Sequence, residues 1–97
     1  MSGATIEWGL KTMTVRLVYF AWVRERVGKA DERVDLPSSM KTVADVIAWQ
    51  TTRGPEYAHA FDTPSIIRVA LDKTHAPADT LIAGAQEIAF FPPVTGG

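Results

Sequence analysis

The C-terminal stretch Glu87–Gly97, EIAFFPPVTGG, limits the possible folds of this chain more than any other segment. Glu87–Phe91 is β-branched and aromatic enough to form a strand. Pro92 and Pro93 end that strand, because neither residue has an amide proton for a sheet ladder and both favour an extended backbone. We therefore predict a strand that leads directly into a thin tail, Val94–Gly97, projecting from the domain.

The predicted tail ends in two residues without side chains. Gly96 and Gly97 have no Cβ, so their backbone can enter a slot too narrow for any other residue. The chain has no cysteine, and it therefore has neither a thiolate nucleophile nor a disulfide framework. The only reactive group at this end is the carboxylate of Gly97. The alternative interpretation is an ordinary frayed terminus without chemistry.

Two segments resemble a known family. The terminal FFPPVTGG and the earlier FAWVRERVG, with its aromatic-Ala, Val-Arg-Glu and Val-Gly pattern, resemble the small subunits of molybdopterin synthase, the MoaD family of ubiquitin-like sulfur carriers. The resemblance covers Met13–Gly97. The chain departs from the family pattern at Ala83–Glu87, where Ala-Gly-Ala-Gln-Glu replaces the usual acidic Asp-Gly-Asp-Glu turn. The resemblance implies a β-grasp fold with the first and last strands side by side and parallel in the middle of the sheet.

The resemblance also implies a reaction sequence at Gly97. A MoeB-like enzyme, which binds the ATP, would adenylate the Gly97 carboxylate, and a sulfur donor would displace AMP to leave a thiocarboxylate. The loaded tail would enter a large, MoaE-like subunit, where sulfur passes to precursor Z (cyclic pyranopterin monophosphate) for the dithiolene of molybdopterin. The expected assembly is a heterotetramer of two small and two large subunits, with the catalytic side chains on the large subunit.

The order of predicted elements indicates an α+β domain of the β-grasp, ubiquitin-like type, with a mixed sheet packed on one main helix. We divide the chain into an N-terminal extension at residues 1–12, a β-grasp domain at 13–91 and an extended tail at 92–97. The predicted elements are strands at Thr14–Ala21, Glu32–Leu36, Ser65–Leu71 and Glu87–Phe91, a short hairpin arm at Thr74–Ala76, and helices at Trp22–Val27 and from Thr42 to Gly54.

The main helix has one apolar face. Thr42 is positioned to cap its first turn, with Asp45 three residues later, although a capping box usually has Glu or Gln at that position. Glycine and proline at Gly54-Pro55 end the helix. Leu81 and Ile82 are expected to pack beneath the loop before the last strand. The residues at helical spacing on the apolar face are Val43, Val46, Ile47 and Gln50.

Alternating side chains identify the two faces of the central strands, because successive residues point to opposite sides of a sheet. The face predicted to lie in the core carries Val15, Leu17, Tyr19, Ile88 and Phe90. The opposite face carries an apolar patch beside the tail, formed by Val18, Phe20, Ala89 and Phe91.

Two phenyl rings at the base of a reactive tail suggest that the apolar patch is a docking surface. The alternatives are cover by a loop or simple exposure. The family resemblance adds Arg24, from the Val-Arg-Glu pattern, whose alternative role is that of a solvated helix residue. The predicted partner-binding residues are Phe20, Arg24, Phe91, Pro92, Pro93, Val94 and Thr95, and the predicted reactive end is Gly96 and Gly97.

Composition argues against several other functions. Ten basic and eleven acidic residues leave a formal net charge of −1, without a basic block, so no nucleic-acid partner is expected. No apolar run reaches the length of a membrane span and no signal-peptide core is present, so we expect a soluble, cytoplasmic protein. His59 and His75 are isolated and no glycine-rich phosphate loop occurs, so neither a metal nor a bound cofactor is expected.

Three other functions remain open from the sequence. A carrier for thiamin or cysteine synthesis would share the diglycine end but usually lacks Phe-Phe-Pro-Pro before it. A ubiquitin-like modifier would use the same adenylation and differ only in the nucleophile, a lysine, that follows. A plain binding module would keep an unmodified tail.

Overall fold

The structure is a computed structural model that describes residues 12–93. Of the predicted N-terminal extension, residues 1–11 lie outside this range, and residue 12 already belongs to the first strand. In chain order the elements are β1 (Thr12–Tyr19), α1 (Ala21–Val27), β2 (Asp31–Pro37), α2 (Val43–Gln50), α3 (Pro55–Ala60), a short 3-10 helix (Pro64–Ile66), β3 (Arg68–Leu71), β4 (Thr74–His75) and β5 (Glu87–Phe91).

The strands form one mixed sheet in the order β2-β1-β5-β3-β4. β1 and β5 are parallel and central, with Leu17 opposite Ile88, whereas the other neighbours pair antiparallel. The residues of α2 that face the sheet belong to its hydrophobic core. This mixed sheet over a main helix is the predicted β-grasp arrangement, and the predicted parallel central pair is confirmed.

The core lies on the predicted face of the central strands. All five predicted residues are at most 1% exposed, and the rings of Tyr19 and Phe90 stack with centroids 5.7 Å apart. Phe61, which follows α3, packs edge-on against Phe90 at 5.2 Å. The predicted core residues, now confirmed, are Val15, Leu17, Tyr19, Ile88 and Phe90.

The end of α1 and the start of α2 have local causes. The Thr42 hydroxyl accepts a hydrogen bond from the Asp45 amide at 3.2 Å, and the Asp45 carboxylate accepts one from the Thr42 amide at 3.0 Å. A complete capping box therefore forms with Asp in the position where Glu or Gln is usual. Gly28 ends α1 with φ +90°, a left-handed conformation that favours glycine. The predicted buried face of α2 is confirmed at all four positions, Val43, Val46, Ile47 and Gln50.

The structure corrects three details. The third strand was expected from Ser65 but begins at Arg68, because the preceding proline starts a 3-10 turn through Ile66. Helix α2 ends at Gln50, before Gly54, and the residues after Gly54 form the separate helix α3.

The third correction concerns the two apolar residues before β5. Ile82 is fully buried as expected, whereas Leu81 is 66% exposed. The Ile82 amide donates to the Lys41 carbonyl at 2.9 Å, and Leu81 forms an isolated bridge with Thr42. Because this segment is extended, adjacent side chains point in opposite directions, and only one of the two reaches the core.

Candidate functional site

The chain leaves the sheet at the end of its central strand. β5 runs parallel to β1, so both strands end at the same edge, and the Phe20 amide donates to the Phe90 carbonyl at 3.1 Å. Pro92 and Pro93 follow β5 directly and are half-buried. The other predicted tail residues, Val94, Thr95, Gly96 and Gly97, lie outside the described residues.

The apolar patch occupies the open face of the sheet beside this exit. Val18 and Ala89 are directly opposite each other, and Ala70 of β3 is opposite Ala89 on its other side. Phe20 is 50% exposed and Phe91 is half-buried. The sequence prediction thus placed these side chains on the correct face, although Ala89 is only 6% exposed there, and no loop among residues 12–93 covers Phe20.

Arg24 lies one helical turn beyond Phe20. Its amide donates to the Phe20 carbonyl at 3.3 Å, and its side chain is exposed. This contact places the first turn of α1 beside the apolar patch. The structure therefore brings Phe20, Arg24 and Phe91 to the edge of the sheet from which Pro92 leaves.

The turn that departs from the family pattern is held by a carboxylate from another part of the chain. The Asp72 carboxylate accepts hydrogen bonds from the Gln86 and Glu87 amides at 3.0 and 2.9 Å. Asp72 and Lys73 have φ of +49° and +73°, as in a tight hairpin turn between β3 and β4. Asp72-Lys73 therefore forms the turn between β3 and β4, and the Asp72 carboxylate also fixes the start of β5.

A polar cluster on the core side of the sheet was missed by the sequence prediction. The Glu32 carboxylate accepts hydrogen bonds from the hydroxyls of Tyr19 and Tyr57 at 2.7 and 3.0 Å. The Arg53 guanidinium donates to both carboxylate oxygens, at 2.7 and 3.0 Å. The buried Gln50 amide completes the cluster by donating to the Tyr19 oxygen at 3.0 Å. We call these five residues the Glu32 cluster.

The Glu32 cluster shifts the pKa values of its members. Burial alone would raise the pKa of Glu32, but hydrogen bonds from Arg53, Tyr19 and Tyr57 outweigh it and lower that pKa to about 2. Burial, with the hydrogen bond to Glu32, raises the pKa of Tyr19. Burial alone would lower the pKa of Arg53. The hydrogen bond to Glu32 and the negative charge of that carboxylate outweigh burial, so the pKa of Arg53 is raised above its ordinary value. The cluster therefore joins β1, β2, α2, the Arg53 turn and α3 around an ionised pair.

One signal in the sequence points to this cluster. In β2 the residues at even positions face the core, since Leu36 is buried and Val34 is half-buried. Glu32 is also at an even position, so its carboxylate points toward the core. A carboxylate there requires a hydrogen-bonding or positively charged partner. Trp49 also contributes, because the Arg53 guanidinium lies 4.6 Å from its ring centroid.

Within residues 12–93 no three His, Asp or Glu side chains are grouped so that they would hold a metal ion. No helix in that range is both long and apolar enough to span a membrane.

Comparison with known proteins agrees with this geometry. The sequence model of the ThiS family matches residues 17–97. The molybdopterin synthase sulfur carrier subunit of Haemophilus influenzae is 31% identical over 83 residues, which cover 86% of this chain and 99% of that protein. The corresponding subunit of Escherichia coli is 29% identical, with the same coverage.

Solved structures show the same fold. SAMP1 from Haloferax volcanii matches with a TM-score of 0.64 at 24% identity, over 88% of this chain and 100% of that one. The small archaeal modifier protein 1 from Methanosarcina acetivorans matches with a TM-score of 0.64 at 22% identity, over 90% and 99% of the two chains. From the family match over residues 17–97 and the identity to curated relatives, this chain belongs to the ThiS family.

Proposed function

We propose that this chain is a sulfur carrier and the small subunit of a molybdopterin synthase. The observation that carries the proposal is the position of β5. This central strand ends beside the exposed Phe20 and the half-buried Phe91 and continues into Pro92-Pro93. The relatives named molybdopterin synthase sulfur carrier subunit, matched over nearly their whole length, support the same function.

The proposed chemistry takes place at the carboxylate of Gly97. A MoeB-like enzyme joins this carboxylate to AMP from ATP with release of pyrophosphate, because a free carboxylate is a poor electrophile at neutral pH. A sulfur donor then attacks the carbonyl carbon, AMP leaves, and a thiocarboxylate remains. Without a side chain on Gly96 or Gly97, the carbonyl is open to attack inside another protein's active site.

In the second half of the reaction the carrier delivers sulfur to a MoaE-like large subunit. The tail enters that subunit's active site, where the thiocarboxylate sulfur replaces an oxygen on precursor Z, which leaves as water. A second water molecule hydrolyses the resulting thioester, so the sulfur stays on the substrate and Gly97 is released as a carboxylate. Two such transfers supply the dithiolene of molybdopterin. The chain acts as the sulfur-carrying part of a sulfurtransferase, and the catalytic side chains belong to the large subunit.

The docking surface in this proposal is the apolar patch with its flanking residues. Phe20 and Phe91 supply aromatic contact area, and the two prolines give the tail a stiff base. Two small and two large subunits form the proposed heterotetramer. The proposed partner-binding residues remain Phe20, Arg24, Phe91, Pro92, Pro93, Val94 and Thr95.

A second candidate function has one supporting observation. The fold is shared with proteins named small archaeal modifier protein 1, so a modifier attached through Gly97 to lysines is the alternative. Mass spectrometry of protein isolated from its own cells separates the two functions. Sulfur in place of oxygen at Gly97 identifies the carrier, whereas an isopeptide between Gly97 and lysines of diverse proteins identifies the modifier.

The test of the proposed function is a chain lengthened by one alanine after Gly97. This change places the carboxylate one residue too far along and adds a Cβ at the end of the tail, so molybdenum cofactor synthesis in cells that depend on this chain should cease. An alanine added at the N-terminus is the matched control and should leave synthesis intact. Full cofactor synthesis by the chain with the C-terminal alanine would refute the proposal.

A further inference from the structure

Arg68 lies on the open face of the sheet, beside the exit of the tail. In β3 the side chains of Val69 and Leu71 face the core, so those of Arg68 and Ala70 face the open side. The backbone register places Arg68 directly opposite Phe91, the last residue before Pro92. Its side chain is exposed. Arg68 thus borders the apolar patch on the side of β3, whereas Arg24 lies in α1, the helix that follows Phe20.

The charge of Arg68 has no acidic partner among residues 12–93. One guanidinium nitrogen donates to the Ser65 carbonyl at 3.0 Å, and no ion pair with a described Asp or Glu is formed. Since a guanidinium has five N–H donors, most of them remain available. This contact holds the side chain near the sheet without neutralising it.

The opposite end of the same open face is arranged differently. Arg16 forms ion pairs with Asp31 and Glu87, so its charge is matched within the described domain. At the tail exit, Arg68 borders the apolar patch and the exposed Arg24 lies one helical turn after Phe20, and neither pairs with a described carboxylate. The exit end is therefore an apolar surface with a positively charged rim.

We infer that Arg68 is a docking residue. It pairs with an acidic side chain of the partner, at the entrance of the slot in which the partner binds the tail. The inference rests on the proposed function and specifies its partner: a protein surface with an apolar hollow for Phe20 and Phe91 and a carboxylate on the β3 side. Because Arg68 is opposite Phe91, this ion pair orients the chain where Pro92 leaves the sheet. A partner surface with basic side chains at that position repels Arg68 and therefore binds the chain less well.

The test is the association of the full chain with the large molybdopterin synthase subunit of the same organism. Arg68→Glu converts attraction into repulsion at the rim and should slow association about tenfold at low salt. The difference should shrink at roughly 0.5 M salt, because exposed charges are screened. Arg68→Lys keeps the charge and should retain most of the rate.

Arg33→Glu is the matched control. Arg33 is exposed, lies on the same open face opposite Arg16, and is distant in register from the tail exit. This variant changes the net charge by the same amount and should associate nearly as fast as the unaltered chain. Thermal unfolding of both variants verifies that they are folded.

The outcomes separate the two proposals. Equal slowing by Arg68→Glu and Arg33→Glu would show a net-charge effect and overturn the role of Arg68, as would an unchanged rate for Arg68→Glu. In both cases, binding of the unaltered chain to the large subunit still supports the proposed function. If the unaltered chain itself fails to bind the large subunit, the proposed function is refuted and the role of Arg68 with it.

Discussion

Glu32 carries a negative charge on the core side of the sheet, where an unpaired carboxylate would be costly. Four of its five hydrogen bonds come from three residues, Tyr19, Arg53 and Tyr57, that are distant in sequence, and the fifth comes from the nearby Lys29. Among the described residues, no buried side-chain nitrogen or oxygen lacks a partner. The cluster therefore ties distant parts of the domain together without leaving an unsatisfied buried polar atom.

The pKa of Glu32 predicts how stability depends on pH. The folded pKa of about 2 lies below the ordinary value of 4.5, so the unfolded chain binds the proton more tightly. The stabilising contribution, about 3 kcal/mol, is complete above about pH 4.5 and is lost as the pH falls from there towards 2. Urea unfolding at a series of pH values measures this loss.

Glu32→Gln should lower the free energy of unfolding at pH 7 by about 2–3 kcal/mol, because the Arg53 guanidinium loses its ionised partner. The same substitution should flatten the stability profile between pH 4.5 and 2. Glu25→Gln changes an exposed carboxylate of α1 and is the control. A Glu32→Gln protein with an unaltered acid profile would contradict this account of the cluster.

At the scale of the element, the capping box decides where α2 begins. Thr42 and Asp45 satisfy each other's amides, and the Asp45 carboxylate also accepts from the Lys41 amide at 3.0 Å. These backbone hydrogen bonds lower the pKa of Asp45. The shorter Asp side chain reaches both amides, which is why the box closes without the usual Glu.

Thr42→Ala removes the hydroxyl that caps the Asp45 amide and should destabilise the domain by about 1 kcal/mol. Chemical denaturation measures the difference. Ser39→Ala, an exposed change before the helix, is the control and should alter stability little. If both variants unfolded at the same denaturant concentration as the unaltered chain, the capping box would have no energetic role.

At the scale of the whole molecule, adjacent residues of β5 perform different tasks. Phe90 is fully buried against Tyr19 and Phe61, whereas Phe91 lies on the open face opposite Arg68. A single strand therefore anchors the fold with one side and presents the docking surface with the other. The chain therefore leaves the sheet at Pro92 from a strand that is anchored in the core.

Phe91→Asp should leave the domain folded but weaken its binding to the large subunit, because the charge replaces an apolar contact at the docking surface. Phe90→Ala should instead cost about 3–5 kcal/mol of stability through loss of core contacts. Circular dichroism melting and binding measurements on both variants distinguish the two faces. Unfolding of the Phe91→Asp monomer would mean that β5 turns its other side to the core.

Much of the fold was predictable from local patterns. Alternation in β1 and β5 identified the core face, and Gly28 and Thr42 marked the limits of two helices. The residues of the apolar patch were assigned to the correct face, because alternation constrains every side chain of a strand once its apolar side is known. The FFPPVTGG end resembled sulfur carriers, and the family match agrees with that prediction.

The rest depended on contacts between distant segments. The partners of Glu32 come from β1, the Arg53 turn and α3, and no local spacing brings a lone acidic residue together with them. The exposure of Leu81 follows from its bridge to Thr42, and Arg68 faces Phe91 only through the β3–β5 register. Periodicity and turn residues act within a few positions of the chain, so the sequence determined the elements and their faces. The tertiary structure decided which charges are matched inside the domain and which remain available to a partner.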